Sequence, residues 1–162
     1  KLDQITGAMR ARNHQLYAGL SQIPGVTPRR VIDPDGDSGP FVLINLPDGE
    51  SARKLVELTR AAGVRPGPHG IGNIHMSQWS LHLYYENVSL VQKCPVHSSG
   101  RPWNDPLNTF HEDISYEKGT LPFMDQLVER SILITVPPTL TEETTHRIIE
   151  IYHQCAAQIG LK

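Results

Sequence analysis

Gly119–Thr141 reads G-T-L-P-F-M-D-Q-L-V-E-R-S-I-L-I-T-V-P-P-T-L-T, and its punctuation decides the architecture. Leu121-Pro122 opens a short amphipathic segment that ends at Glu129-Arg130-Ser131. The run Ile132–Val136 is rich in β-branched residues and carries no charge, as a buried strand requires. Pro137-Pro138 stops it, because proline brings no N–H to a sheet ladder. A helix then begins, either through a capping box of Thr139 and Glu142 or with Thr141 as the direct cap. The order is helix, arginine, buried strand, helix. It sets Arg130, a permanent cation with a planar fork suited to carboxylate or phosphate, at the mouth of a hydrophobic strand. The plainer reading of Arg130 is a surface residue paired to Glu129, Asp125 or Asp113.

Working outward, the last helix is expected over Thr141–Ile159. Ile148, Tyr152, Cys155 and Ile159 form its buried stripe, Ile149 and Ala156 lie beside it, and Gly160 is the stop. At the other end, Leu2, Ile5, Met9, Leu16, Leu20 and Ile23 recur at steps of three, four or seven, which is one face of a helix from Lys1 to Ile23. Pro24-Gly25 closes it. Because this helical pattern is already running at Lys1 without a cap, the chain is expected to be a piece of a longer protein. Val26–Ile32 is expected as a short strand with Arg29 and Arg30 exposed, and Asp33–Pro40 as a turn cluster. Phe41–Leu46 is a buried strand, and Ser51–Ala62 a helix with Leu55, Leu58 and Ala62 inward and Gly63 as its stop. Residues 65–118 show little periodicity. Ile74–Tyr85 is rich in His, Trp and Tyr, and Cys94–Glu117 reads as a long irregular loop of the kind that is often functional. Helices segregated over a small, largely antiparallel sheet fit this order: an α/β fold of the two-layer α+β kind.

The 162 residues are enough for one domain with a real core. With 38% hydrophobic and 20% charged residues, the chain is neither disordered nor membrane-spanning, and no apolar run approaches a bilayer span. A formal charge of −2, with acids and bases interspersed, argues against nucleic acid or an anionic membrane as the main partner. Cys94 and Cys155 are far apart and are expected as free thiols in a reducing cytoplasm.

Eight histidines is a high count, and His69, His75, His82 and His97 gather around Cys94. Cys94-x-x-His97 has a zinc-site spacing, but no second pair completes a ligand set, so no metal is expected. Gly67–Gly72 has glycines without a strand-to-helix setting and reads as a turn rather than a phosphate cradle. No nucleophile motif is present. None of Lys1, Lys54, Lys93, Lys118 and Lys162 lies in an apolar segment that would depress its pKa for Schiff-base chemistry.

Three segments bring a family into view: K-L-D-Q-I-T-G-A-M-R-A-R-N at the start, Trp79-Ser-Leu-His-Leu-Tyr-Tyr85 followed by Cys94-Pro95, and Leu121-Pro through Pro138. The layout resembles the C-terminal portion of the DegT/DnrJ/StrS aminotransferases, fold type I enzymes dependent on pyridoxal 5'-phosphate. The resemblance implies a long interdomain helix at 1–23 and a small C-terminal domain at 24–162. It implies that the catalytic lysine and the cofactor-binding large domain lie upstream, so no catalytic residue is expected in this chain. It further implies a homodimeric parent, with 75–103 near the cleft or the partner subunit. Amino transfer would run from glutamate or glutamine to a keto-sugar or related keto compound. The substrate-binding candidates are Arg130 as a carboxylate clamp, His82, Tyr84 and Tyr85 as hydrogen-bonding groups, and Trp79 as a ring-packing surface. Two readings stand beside this one: a stand-alone domain binding a polar ligand through its His- and Tyr-rich loop, and a zinc enzyme using Cys94 and His97.

Overall fold

The computed structural model describes residues 1–65, 71–108 and 114–161. In chain order its elements are α1 (Leu2–Leu20), β1 (Thr27–Pro28), β2 (Phe41–Asn45), α2 (Gly49–Ala61), β3 (Asn73–His75), α3 (Val88–Val91), α4 (Pro122–Glu129), β4 (Ser131–Thr135) and α5 (Glu142–Gln158). Two compact units emerge, one of Lys1–Met76 with Leu127–Lys162 and one of Ser77–Gln126.

The first unit is an α+β layer pair. Its four strands run in the order β1-β2-β4-β3, and every neighbour is antiparallel. The strands β2 and β4, predicted from the two apolar runs, are paired from Phe41↔Thr135 to Asn45↔Ser131. The continuous apolar run of β4 follows from its central place: Leu43 and Ile74 flank Leu133 in register on either side. Val42, Ile44, Leu46, Ile132, Ile134 and Val136 meet Leu16, Leu20, Leu55, Ile148 and Tyr152 from the helices in one core. Burying each such side chain contributes about 1.5–3 kcal/mol, which is what holds amphipathic helices of this length.

Side-chain caps open α2 and α5, the second at the Thr141 position that the sequence offered. Asp48 accepts from Ser51 N at the start of α2, and Thr141 accepts from Thr144 N at the start of α5. Gly63 and Gly160 follow the ends of α2 and α5 with positive φ, the backbone that stops a helix without steric cost. Gly19 lets α1 approach α5 closely: a Cβ there would lie 2.6 Å from Ile149 Cδ1. His153 Nε2 of α5 lies 3.0 Å from the Gly19 carbonyl and donates to it.

Three expectations are corrected. The stripe of α1 was expected to pack from Leu2 onward, but Leu2 is 72% and Ile5 43% exposed, and burial begins at Asn13 and Leu16. Periodicity marks a face and not what covers it. The helix itself ends at Leu20, because Ile23 and Val26 are reached through successive turns, although Ile23 stays buried. The strand expected over Val26–Ile32 shrinks to Thr27–Pro28, with a final ladder bond from Arg29 N to Leu43 O. Pro28 lacks the N–H that a longer strand needs.

The second unit has little regular structure, as its weak periodicity implies. A 3₁₀ turn at Ser80–His82 and α3, capped by Asn87, are its short helical pieces ahead of α4. Trp103 is its buried anchor, donating from Nε1 to Cys94 O at 2.9 Å, with Tyr116 edge-on at 6.2 Å. Both thiols are free, and burial pushes the Cys155 thiol pKa up. No described helix is long and apolar enough to cross a membrane.

Candidate functional site

Arg130 sits between the end of α4 and the start of β4, and the backbone there is held from several sides. Leu46 N donates to Arg130 O at 2.8 Å. The preceding carbonyl, of Glu129, accepts from His75 Nε2–H at 2.7 Å. The Glu129 carboxylate is taken by Arg53 Nη1 at 2.7 Å. The following residue, Ser131, is buried, and its hydroxyl oxygen lies within hydrogen-bonding reach of two acceptors, Leu127 O and, at 2.8 Å, Asn45 Oδ1. With its neighbours engaged, the Arg130 side chain is exposed and makes no hydrogen bond or ion pair among the described residues. Of the carboxylates weighed as its structural partner, Glu129 is bound to Arg53, Asp125 serves a hydroxyl and an amide within the second unit, and Asp113 lies outside the described residues. A guanidinium fork on a fixed backbone, with its donors unspent, is able to receive a carboxylate.

His75 is a residue that sequence reasoning left as one of a histidine cluster. It is buried in β3, and burial lowers its pKa below the ordinary imidazole range, with the positive Arg53 adding to the shift and the Glu129 contact opposing it. It is therefore neutral near pH 7, with Nε2 protonated toward a carbonyl that can only accept.

In the second unit, Trp79 and His82 stack with ring centroids 4.4 Å apart and planes 10° from parallel. Ser80 between them has φ of +52°, a sparsely populated conformation that lets the chain return on itself. His82 Nδ1 lies 3.0 Å from Trp79 O, so Nδ1 carries the proton and Nε2 is left as an acceptor in the neutral ring. Tyr84 is placed differently. Its hydroxyl sits 3.0 Å from each Asp125 carboxylate oxygen, and it accepts from Leu121 N at 3.2 Å. Gly119 N donates to the same Asp125 carboxylate at 2.8 Å. Asp125 thus fixes the entry to α4 through one phenol and one amide. The Tyr85 ring stands edge-on to Tyr84 at 5.1 Å, with Lys118 Nζ 5.3 Å from its centroid.

Among the described residues, no group of three or more His, Cys, Asp or Glu is placed to hold a metal ion. His97 Nδ1 faces Ser99 at 2.8 Å, and His69, like the first part of the Gly67–Gly72 stretch read from sequence as a turn, lies outside the described residues. Lys54 does not fit a covalently held pyridoxal phosphate. Lys54 is exposed and bonded to Glu50 at 2.6 Å, a partner that raises its pKa, the reverse of what a Schiff-base amine requires.

A second feature missed from sequence is a buried polar network that ties α2, β3 and α5. Tyr152 donates to Asn73 Oδ1 at 2.8 Å, and Asn73 Nδ2 donates to Thr59 Oγ1 at 2.7 Å. Arg60 Nε donates to the Asn73 carbonyl at 2.9 Å. Burial pushes the Tyr152 phenol pKa far up, so it is a donor and not a base. Tyr152 was legible as a stripe residue; its partner, from a strand of three residues, was not.

No protein-family model matches the sequence. Among solved structures the chain is similar to 3-amino-5-hydroxybenzoic acid (AHBA) synthase, with a TM-score of 0.55 and 14% sequence identity over 97% of this chain. The chain spans 35% of that enzyme's length, and at this identity the likeness is one of fold.

Proposed function

We propose that this chain is the small C-terminal domain, with residues 1–23 as the interdomain helix and 24–162 as the domain proper, of a pyridoxal-phosphate-dependent aminotransferase similar to the DegT/DnrJ/StrS enzymes. The observation that carries this reading is the fold likeness over 97% of the chain to about a third of a synthase named for an amino-bearing product. The Leu121-Pro…Arg130-Ser131-strand segment supports it from the sequence side. On this reading the cofactor and its lysine belong to the large domain, and Lys54, paired with Glu50, is a surface charge. The parent is a cytoplasmic homodimer, and the cofactor carries the amino-transfer chemistry.

What this chain contributes is recognition. Arg130 clamps the carboxylate of glutamate or glutamine through its two parallel N–H donors. His82 accepts from a hydroxyl of the keto-sugar at Nε2, and Trp79, stacked on His82, packs on a ring face. Tyr84, whose hydroxyl is engaged with Asp125, and Tyr85 are further hydrogen-bonding candidates of the second unit.

Arg130→Lys in the full-length parent tests this assignment. It keeps the charge and loses the fork, so the donor's KM should rise, with a loss of about 2–4 kcal/mol in donor recognition and a smaller change for the keto substrate. Equal effects on both substrates, with a lowered melting temperature, would assign Arg130 a structural role instead. The domain assignment is tested on the chain alone. Borohydride reduction with added pyridoxal phosphate should leave no specific pyridoxyl-lysine in the mass spectrum, and such an adduct would overturn it.

A further inference from the structure

We propose that the hollow between α1 and the segment from Pro28 to Asp37 binds a small planar carboxylate, independently of any aminotransferase role. The hollow lies wholly within the first unit and encloses about 300 Å³, the lower end of the range for small-molecule sites. Its apolar walls are the Tyr17 ring, Pro28, Val31 and Pro34. Among these walls the Tyr17 ring offers a flat aromatic face against which a planar body can pack.

The polar groups divide into spent and unspent. Asn13 donates to Phe41 O at 2.9 Å. Asp37 accepts from Gly39 N at 2.9 Å, stands 3.7 Å from Arg29 Nη2, and lends its carbonyl to Arg10 Nε at 2.9 Å. The lining's one carboxylate is thereby answered by its own neighbours. Arg30, His14 and the Tyr17 hydroxyl line the same hollow and make no hydrogen bond or ion pair among the described residues. The unanswered charge is positive and planar, so the complementary ligand is an anion with two in-plane oxygens. The Tyr17 hydroxyl and the His14 ring add hydrogen-bonding capacity at the rim.

Benzoate is the probe, titrated into the 162-residue chain by calorimetry and by amide chemical-shift mapping. Saturable binding is expected, with shifts centred on α1 from Asn13 to Tyr17 and on residues 28–37. Benzamide, which keeps the shape and loses the charge, should bind at least about tenfold more weakly, and Arg30→Gln should cost a similar factor. Val31→Phe should abolish binding by filling the hollow while leaving the charge in place. Arg65→Gln, an exposed arginine elsewhere, should change nothing. No saturable binding, shifts mapped to another surface, equal affinity for benzamide, or undiminished binding in Arg30→Gln would each overturn the proposal. Inorganic phosphate binding as tightly as benzoate would overturn its planar half.

Discussion

Two polar clusters make the most instructive comparison in this molecule. In the first unit, Asn73, Thr59 and Tyr152 are fully buried, and each polar atom has an internal partner. In the second, Trp79 and His82 stack at a left-handed turn, and His82 keeps one ring nitrogen with its lone pair uncommitted. Among the described residues, no buried side-chain nitrogen or oxygen lacks a partner. A closed network specifies how α2, β3 and α5 meet and has nothing left to offer a ligand. Exposed His82, stacked on half-buried Trp79, keeps hydrogen-bonding capacity at Nε2 that the closed network lacks. The number of polar atoms is similar; burial and unspent valence separate the roles.

The comparison can be tested by breaking each side in turn. The largest loss should come from the core beneath the closed network. Ile134→Ala, at a fully buried position in the central strand, should cost about 2–5 kcal/mol in urea denaturation. A loss below 1 kcal/mol would show that β4 is not central to the core. Next is Tyr152→Phe, which removes one hydroxyl and leaves Asn73 Oδ1 buried without its donor. It should cost about 1–3 kcal/mol, and a neutral result would mean that water replaces the phenol.

Smaller is the cap at α5. Thr141→Ala should cost about 1 kcal/mol, with Thr141→Ser or Thr141→Asp close to neutral. The pH dependence comes from His75. Burial depresses its folded pKa below the ordinary 6.5, so the folded chain resists a proton that the unfolded chain accepts. The contribution of His75 to stability is full above that value and is lost as pH falls through the depressed folded pKa. Melting temperatures measured from pH 7.5 down to 5 should therefore fall, and His75→Gln, which keeps a donor to the Glu129 carbonyl, should flatten the slope. An unchanged slope would place the titration elsewhere. The smallest stability effect belongs to the open pair. His82→Ala, at an exposed position, should stay within about 0.5 kcal/mol, and Trp79→Ala should release the His82 ring, visible as narrowed and shifted imidazole resonances.

Much of the fold was legible because it rests on local chemistry. The uncharged β-rich run ending in Pro137-Pro138 could only be a buried strand. The Thr141 cap and the Gly63 and Gly160 stops bracket helices whose apolar stripes are written at helical spacing. The candidate site was legible only as residue types. Arg130 was visible as a cation at a strand mouth, but the loss of Glu129 to Arg53 depends on a residue 76 positions away. Tyr84 read as a free hydroxyl, and its commitment to Asp125 spans 41 positions.

The sequence by itself determined the two inner strands β2 and β4, the Thr141 cap, the antiparallel α+β class and the absence of a nucleophile motif, because each follows from backbone propensity, hydrophobic period or residue inventory. The tertiary structure decided which polar groups are spent. It left Leu2 and Ile5 exposed on a helix whose period looked uniform, buried His75 as a neutral donor, and closed Asn73 against Tyr152. The physical reason is that a hydrogen bond between distant residues has no local signature. Its partners are chosen by how the sheet and helices pack, and only then does a side chain become a strut or remain free to bind.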